Sequence, residues 1–135
     1  MRWASTASTI GRLEDAVDDA AETLAEELRG GTPDLVLAFV TPHHAPHWAG
    51  LAEAVARHFP DALLLGCSAG GAIGGGREIE REPALSLTAA VLPGVELAPF
   101  HLDQELAVWD EAIAVAAEDE PAFLLLPDPF TFDTE

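Results

Sequence analysis

Residues 63–76 read LLLGCSAGGAIGGG, an apolar run of strand length that ends abruptly in a loop with six glycines. A short apolar run bounded by glycine is typical of a buried strand. Glycine permits positive φ and lets another group approach the backbone closely. The chain before this loop alternates helix and strand patterns, whereas the chain after it reads as a hairpin. We therefore expect the architecture to change at this loop and a ligand to bind there.

The sequence before the glycine loop predicts a βαβ unit. Trp3–Ser8 has the character of an edge strand, and Arg12–Arg29 carries an apolar stripe at helical spacing with acidic residues on the other face. The continuous apolar run in Asp34–Val40 predicts a strand that is central in its sheet. A helix that starts at Pro46 and ends near Phe59 leads to a strand over Ala62–Gly66. Strand, helix and strand at this spacing favour a parallel pair with a right-handed crossover.

The sequence after the glycine loop predicts an antiparallel hairpin. Leu85–Leu92 and Val95–Leu102 are strand-like runs, and Pro93-Gly94 between them fits the centre of a type II turn. A third helix over residues 103–117 and a buried strand over Phe123–Leu126 follow. The predicted fold is α/β, with a mixed sheet that contains the βαβ unit and the hairpin, flanked by about three helices.

Length and composition bound the class of protein. The 135 residues predict one domain. The net charge is −18 and all six basic residues are arginine, so nucleic acid and anionic membranes are not expected as partners. Schiff-base chemistry and a phosphate-loop lysine are excluded because the chain has no lysine. A single cysteine, no signal-peptide core and no apolar run of membrane-spanning length predict a soluble cytoplasmic protein.

One motif suggests enzymatic chemistry. Gly66–Gly70 matches G-x-S-x-G, the nucleophile elbow of α/β-hydrolases, in which a sharp turn between a strand and a helix exposes the serine. Further glycines and a charged strand, rather than a helix, follow Ser68, and His101 is the sole later histidine. A hydrolase that uses Ser68 or Cys67 is therefore the disfavoured alternative, and we predict no catalytic residue.

Two other groups of residues have ordinary structural interpretations. Cys67 lies at a strand end, where backbone amides can stabilise a thiolate, but a free cysteine in a tight turn is usually structural. His43, His44 and His47 form H-H-x-x-H, in which the first and last would share one face of a helix. The two prolines in this stretch interrupt an α-helix. We therefore interpret the histidines as surface residues and predict no metal site and no cofactor.

The ends of the predicted strands mark a ligand site. In open α/β sheets, ligands bind outside the carboxyl ends of the strands, so the loops after Val40, Gly66 and Leu126 would line one crevice. Backbone N–H groups of the glycine loop would meet an anionic group there, and Asp128 would meet an ammonium group. That the glycines only make a turn is an equally open interpretation. The predicted ligand-binding residues are Thr41, Gly66, Cys67, Ser68, Gly70, Gly71 and Asp128.

Four segments occur in a recognisable order: DLVLAF (34–39), LLGCSAGG (64–71), LSLTAAVLPGV (85–95) and LLLPDPF (124–130). This order resembles the FIST N domain, the amino-terminal half of a sensory module in prokaryotic signalling proteins and in some eukaryotic F-box proteins. The resemblance covers the chain from about Trp3 to Phe132. It implies a small-ligand sensor, with amino acids or their derivatives as the proposed ligands, and no established catalytic residue.

The resemblance also implies a missing partner. Family members are followed by a FIST C domain, whereas this chain stops after its Asp-Pro-Phe segment. We expect a single FIST N-like domain over residues 1–135 that is truncated at its C-terminal end and needs a FIST C-like domain or partner chain. The expected function is a ligand-sensing input domain of a signal transduction protein. The alternative is a protein-interaction or scaffold domain, which the apolar surface expected over Leu85–Leu102 favours.

Overall fold

The computed structural model describes residues 1–101 and 121–128. The chain divides into two compact units, Met1–Glu96 and Leu97–Glu135. All helices and strands of the described residues lie in the first unit. In chain order they are β1 Arg2–Ser8, α1 Leu13–Glu27, β2 Leu35–Val40, a 3-10 helix Pro42–Gly50, α2 Leu51–His58, β3 Leu63–Ser68, β4 Gly71–Gly74, β5 Arg77–Glu80 and β6 Leu85–Val91.

A four-stranded mixed sheet with the order β1-β6-β2-β3 forms the frame of the first unit. β6 is antiparallel to both β1 and β2, and β2 is parallel to β3. The continuous apolar run of β2 therefore occupies an interior position, as predicted, and β1 is the predicted edge strand. The 3-10 helix and α2 connect β2 to β3, which confirms the βαβ unit. The α/β class and the mixed sheet are confirmed.

Helix α1 buries the apolar stripe that the sequence predicts. Burial of each leucine in it stabilises the fold by about 1.5–3 kcal/mol. At the end of the helix, the Arg2 guanidinium of β1 donates a hydrogen bond to the Leu28 carbonyl at 2.9 Å. The buried stripe consists of Leu13, Ala16, Val17, Ala20, Ala21, Leu24 and Leu28. It packs in one core with residues of β2, β6 and α2.

The second helix begins later than its sequence pattern predicts. Pro42–Gly50 forms a 3-10 helix, and the α-helix starts only at Leu51. Pro46 lacks the N–H that an α-helix needs at that position, which accounts for the irregular turns before α2. His58 at the end of α2 contacts Asp18 of α1, with 2.7 Å between Nε2 and Oδ1. Among the described residues, neither helix has the length and apolar character that crossing a membrane requires.

The glycine-rich stretch forms a strand end, a short turn and a hairpin rather than one open loop. β3 continues through Ser68, and β4 pairs antiparallel with β5 in a separate two-stranded sheet. Gly74 lies opposite Arg77, so Gly75 and Gly76 form a two-residue turn, with φ of 56° and 73°. Two successive positive φ angles define the type I′ turn that suits a hairpin. Glycine is therefore favoured at positions 75 and 76 because both residues of the turn have positive φ.

The hairpin predicted over residues 85–102 is wrong in its pairing. β6 pairs with β1 and β2, and residues 95–101 form no strand. The predicted turn is present: the Val95 N–H donates to the Leu92 carbonyl at 3.1 Å, and Gly94 has a φ of 77°. The apolar surface expected over Leu85–Leu102 is absent from β6, an interior and largely buried strand, whereas Val95 and Phe100 in the second half of that range are exposed.

β3 lies at the edge of the sheet, although its apolar run predicts a buried strand. Its first half, Leu63–Leu65, is half-buried, and Gly66–Ser68 is exposed. Leu64 packs against the core cluster that contains Ala54 and Val55 of α2. The apolar residues are thus explained by cover from a helix on one face, which needs no further strand beside β3.

In the second unit, the described residues 97–101 and 121–128 form no helix or strand. The predicted buried strand over Phe123–Leu126 is therefore contradicted, and Phe123, Leu124 and Leu125 are about half exposed. Apolar composition alone does not supply the partner strand that a strand needs. The rings of Phe100 and Phe123 meet edge to face, with centroids 6.3 Å apart. The predicted third helix, over residues 103–117, lies outside the described residues.

Candidate functional site

The carboxyl ends of β2 and β3 lie side by side. In the parallel register, Phe39 is opposite Cys67 and Val40 is opposite Ser68. The Ala69 N–H donates to the Val40 carbonyl at 2.9 Å, which holds the turn after β3 against the end of β2. Two of the three strand ends that the sequence analysis brings together are therefore adjacent.

A pocket of about 370 Å³ opens between these strand ends and the helical segment that joins them. This volume lies within the range of about 300–1,000 Å³ found for small-molecule sites, and the pocket is open to solvent, with five of its nine lining residues exposed. Its lining comes from β2, the 3-10 helix, α2 and β3. The lining residues are Ala38, Val40, Trp48, Leu51, Ala52, Leu64, Gly66, Cys67 and Ser68.

Gly66 permits the close approach of β3 to β2 beside the pocket. A Cβ added at Gly66 would lie 2.0 Å from the Ala38 carbonyl oxygen and 2.9 Å from the Ala38 carbonyl carbon. Both atoms belong to the backbone of the neighbouring strand, so they cannot rotate away as a side chain would. A side chain at this position would therefore push the two strands apart where they form the pocket wall.

The structure brings together some of the predicted ligand-binding residues. Gly66, Cys67 and Ser68 line the pocket, whereas Gly70 and Gly71 do not. Gly71 begins β4, and Gly70 lies in the turn before it. These two predictions were placed on an open loop, and the stretch instead turns into the β4–β5 hairpin.

Thr41 and Asp128 occupy other surroundings. Thr41 is fully buried, and its Oγ1 accepts a hydrogen bond from the Ala84 N–H at 2.9 Å and donates to the Glu82 carbonyl at 3.3 Å. It fastens the end of β2 to the segment that precedes β6. Asp128 is an exposed residue of the second unit. Its predicted contact with a ligand rests on the sequence.

The pocket lining is uncharged and contains both polar and apolar surface. No Asp, Glu, Arg or His is among its lining residues, and its polar side-chain groups are the Ser68 hydroxyl, the Cys67 thiol and the Trp48 indole N–H. Cys67 is exposed and is the single cysteine of the chain. Trp48, Leu51 and Ala52 lie within the helix that the sequence predicts from Pro46 to Phe59, and their spacing carries no signal that separates a pocket wall from a core.

His44 is the polar residue that the sequence analysis placed wrongly. It is fully buried, and neither Nδ1 nor Nε2 has a hydrogen-bond partner among the described residues. Burial, and then the neighbouring His43 and His47, lower the pKa of His44 from its ordinary value of 6.5. His43 and His47 are exposed, as expected. The 3-10 helix turns His44 inward, and the positions of the prolines do not reveal that direction.

The residues of the first unit do not form a nucleophile elbow or a metal centre. Ser68 is the last residue of β3, and a turn and β4 follow it in place of the helix that an elbow needs. Within residues 1–101 and 121–128, no group of three or more His, Cys, Asp and Glu side chains is arranged to hold a metal ion.

In this α/β unit, a small pocket lies at the carboxyl ends of two parallel strands, which is where open α/β sheets bind ligands. Residues 34–135 of the chain match the FIST N domain family. The matched region holds both strands that end at the pocket and about three quarters of the chain, so the chain belongs to the FIST N domain family. The resemblance drawn from the four sequence segments is confirmed, and membership of this family indicates a sensory domain of signal transduction.

The similar curated proteins come from mycobacteria. An uncharacterised protein of Mycobacterium tuberculosis (strain CDC 1551 / Oshkosh) is 36% identical over 135 residues, which cover 98% of this chain and 35% of that protein. An uncharacterised protein of Mycobacterium bovis is 31% identical over 135 residues, with 98% of this chain and 34% of that protein covered. The chain thus spans about a third of the length of these relatives. No solved structure matches it.

Proposed function

We propose that this domain is the ligand-sensing input domain of a signal transduction protein and that a small metabolite binds in the pocket between β3 and α2. One observation carries the proposal: the pocket lies at the strand ends where the sequence predicts a ligand, in a chain that belongs to a sensory family. Gly66, Cys67 and Ser68 are the predicted ligand-binding residues that line it.

The pocket is placed where a ligand can influence the fold. A ligand there would touch β2, β3 and α2 at once, so its binding free energy would favour one mutual arrangement of these elements over others. Thr41, which follows β2, is hydrogen-bonded to Glu82 and Ala84 before β6. Backbone groups of Gly70 and Gly71 remain proposed contacts for the carboxylate of an amino acid or a related metabolite, and the role proposed for Asp128 in meeting an ammonium group rests on the sequence alone.

The output of the sensor would pass to another domain. We propose a FIST C-like domain or a partner chain in that role, on the basis of the resemblance, and a cytoplasmic location. We propose no catalytic role for the domain, and the hydrolase alternative lacks its elbow because a turn into β4, rather than a helix, follows Ser68.

A thermal-shift panel tests the proposed function. The purified chain is melted alone and with amino acids and related metabolites, each at high concentration. A ligand at about 100 times its Kd adds about 2.7 kcal/mol to the free energy of unfolding. A reproducible rise in Tm with at least one compound is expected. A cooperative melt that no compound shifts would contradict ligand sensing by this chain.

A protein-interaction domain is the second candidate, and the open edge of β3 favours it. β3 has no charged residue and no proline over Leu63–Ser68, and such an unprotected edge is prone to pair with another strand. This candidate predicts concentration-dependent self-association in sedimentation velocity runs, with no response to small molecules. A monomer at all concentrations, together with a ligand-induced rise in Tm, would exclude it.

A further inference from the structure

We propose that the pocket between β3 and α2 and the free backbone edge of β3 form one site, which binds a short cationic peptide in an extended conformation. The peptide adds a strand to the sheet beside β3 and places one apolar side chain in the pocket. The inference rests on the proposed function, because it narrows the amino-acid-related ligand of the same pocket to a peptide. The occupant of the β3 edge is then a peptide rather than another copy of the chain.

The direction of the backbone groups of β3 gives the first reason. The Leu63 N–H donates to the Asp34 carbonyl, and the Ala69 N–H donates to the Val40 carbonyl, each at 2.9 Å. Successive residues of a strand direct their backbone groups to opposite edges, so the odd-numbered residues from 63 to 69 face β2. The N–H and C=O groups of the three residues between them point to the outer edge. These residues are Leu64, Gly66 and Ser68.

The outer edge of β3 has no strand beside it in the part of the chain that the structure describes. Its second half, Gly66–Ser68, is exposed, and the strand carries neither a charge nor a proline that would oppose pairing. Unpaired N–H and C=O groups at an accessible edge are the groups with which an extended peptide pairs. The backbone over Leu64–Ser68 can therefore hydrogen-bond a peptide.

The pocket lies against the same residues of β3. All three residues with outward backbone groups line it, and so does Ala38, which is opposite Gly66 in the register. A peptide residue that pairs with Gly66 directs its side chain to this face of the sheet, because directly opposed residues of neighbouring strands share a face. Gly66 has no side chain of its own to occupy that space. Backbone pairing and the pocket are therefore parts of one site.

The volume of the pocket sets the size of the peptide side chain. A cavity of about 150 Å³ is enough for benzene. The pocket measures about 370 Å³ and its walls include Leu64 and the Trp48 ring, so a phenylalanine or leucine side chain fits. In strand addition, the backbone hydrogen bonds supply affinity and such a pocket supplies selectivity.

The charge of the chain favours a cationic peptide. The net charge is −18, from 24 acidic and six basic residues. No charged side chain lines the pocket, so this preference comes from the field of the whole domain rather than from an ion pair in the site. It should be strongest at low ionic strength, because salt screens such a field.

Peptides with methylated backbone nitrogens test the pairing. The parent probe is acetyl-Lys-Val-Phe-Val-Lys-amide, and titration calorimetry with the purified chain measures its affinity. One isomer carries backbone N-methyl groups on both valines and the other on both lysines, so each isomer blocks one edge of the extended peptide. We expect a Kd below about 1 mM for the parent. Affinity should fall about tenfold or more in one isomer only.

Two pairs of variants locate the site. Ser68→Pro removes an outward N–H, a change that an edge strand tolerates, whereas Ser68→Ala keeps this donor. Ala52→Phe fills the pocket, and Glu53→Phe adds the same ring at the neighbouring position, which does not line the pocket. We expect Ser68→Pro and Ala52→Phe to weaken parent binding about tenfold, and Ser68→Ala and Glu53→Phe to stay within about threefold. A thermal melt of each variant verifies that it folds.

Each other outcome overturns the inference. If the two methylated isomers bind alike, whether as tightly as the parent or more weakly, the peptide does not pair through one edge. If no peptide with Phe, Leu or Val at the central position binds at about 1 mM, the site is not a peptide site. The thermal-shift panel of free amino acids then decides the sensor proposal separately.

Two controls address the charge and the occupant. If a peptide with glutamate in place of both lysines binds as tightly as the parent at low salt, the cationic preference is refuted. If sedimentation velocity shows dimers that the parent peptide does not dissociate, the edge of β3 belongs to a second copy of the chain, and the inference is overturned.

Discussion

Replacement of Gly66 by alanine tests the packing on which the pocket depends. The added Cβ would meet the Ala38 carbonyl oxygen at 2.0 Å and the Ala38 nitrogen at 3.1 Å. Separations below about 3 Å are far inside van der Waals contact, where carbon atoms pack at about 3.5–4.0 Å. Relief requires that β3 move away from β2, because both strands meet there through their backbones.

The size of the effect follows from two opposing terms. Overpacking of a well-packed site costs about 1–3 kcal/mol. Alanine recovers about 0.5–1 kcal/mol relative to glycine in a strand, because it loses less conformational freedom on folding. We therefore expect Gly66→Ala to lower the free energy of unfolding by about 1–2 kcal/mol.

Urea denaturation followed by circular dichroism measures this loss, and Gly70→Ala is the matched control. A Cβ at Gly70 meets nothing within 4 Å, so this variant should stay within about 0.5 kcal/mol of the unchanged chain. The reasoning is refuted if Gly66→Ala is as stable as Gly70→Ala, because the spacing of β2 and β3 would then tolerate a side chain.

Two further predictions concern buried polar groups. Because the pKa of His44 is lowered in the folded chain, the unfolded chain binds more protons below about pH 6.5, and the free energy of unfolding falls by up to about 1.4 kcal/mol per pH unit as the pH decreases. Urea denaturation between pH 7.5 and 5 should show this loss in the unchanged chain but less of it in His44→Leu, and equal pH slopes would contradict it. Thr41→Val leaves the Ala84 N–H buried without an acceptor and should cost about 1–3 kcal/mol in the same assay, whereas Thr41→Ser should cost less. Equal losses in the two Thr41 variants would show that the hydroxyl is not what matters.

Elements with a complete local pattern were predictable from sequence. The stripe from Leu13 to Leu28 repeats at helical spacing for four turns, and every member is buried. β2 is apolar at every position, with no alternation of polar residues, and this pattern predicts an interior strand of the sheet. In both cases the signal is contained in the element itself and needs no knowledge of its partners.

Pairing across the chain was not predictable in the same way. β6 ends just before the turn signal at Pro93-Gly94, which suggests a local hairpin, yet its partners β1 and β2 are remote in sequence. The Gly75-Gly76 turn, by contrast, lies between two short strands, and a Gly-Gly pair is itself a hairpin signal. Residues 66–76 contain six glycines, however, and so glycine-rich a stretch predicts a loop rather than a hairpin.

Some lining residues of the pocket could be predicted from the sequence, and others could not. Cys67 and Ser68 were predictable because the carboxyl ends of parallel strands meet at one edge of a sheet. Trp48 and Ala52 were not, because a helix face beside a pocket has the same spacing as one in a core. The inward direction of His44 depends on the 3-10 turns of its segment, which local propensity does not specify.

The central claim is that a small ligand binds in the pocket between β3 and α2, and the most direct measurement is the ligand-induced change in Tm in three proteins. These are the unchanged chain, Ala52→Phe and Glu53→Phe. A bound compound at about 100 times its Kd should raise Tm by several degrees in the unchanged chain and in Glu53→Phe. The rise should vanish in Ala52→Phe. An equal rise in Ala52→Phe, or no rise in any of the three, would contradict the claim.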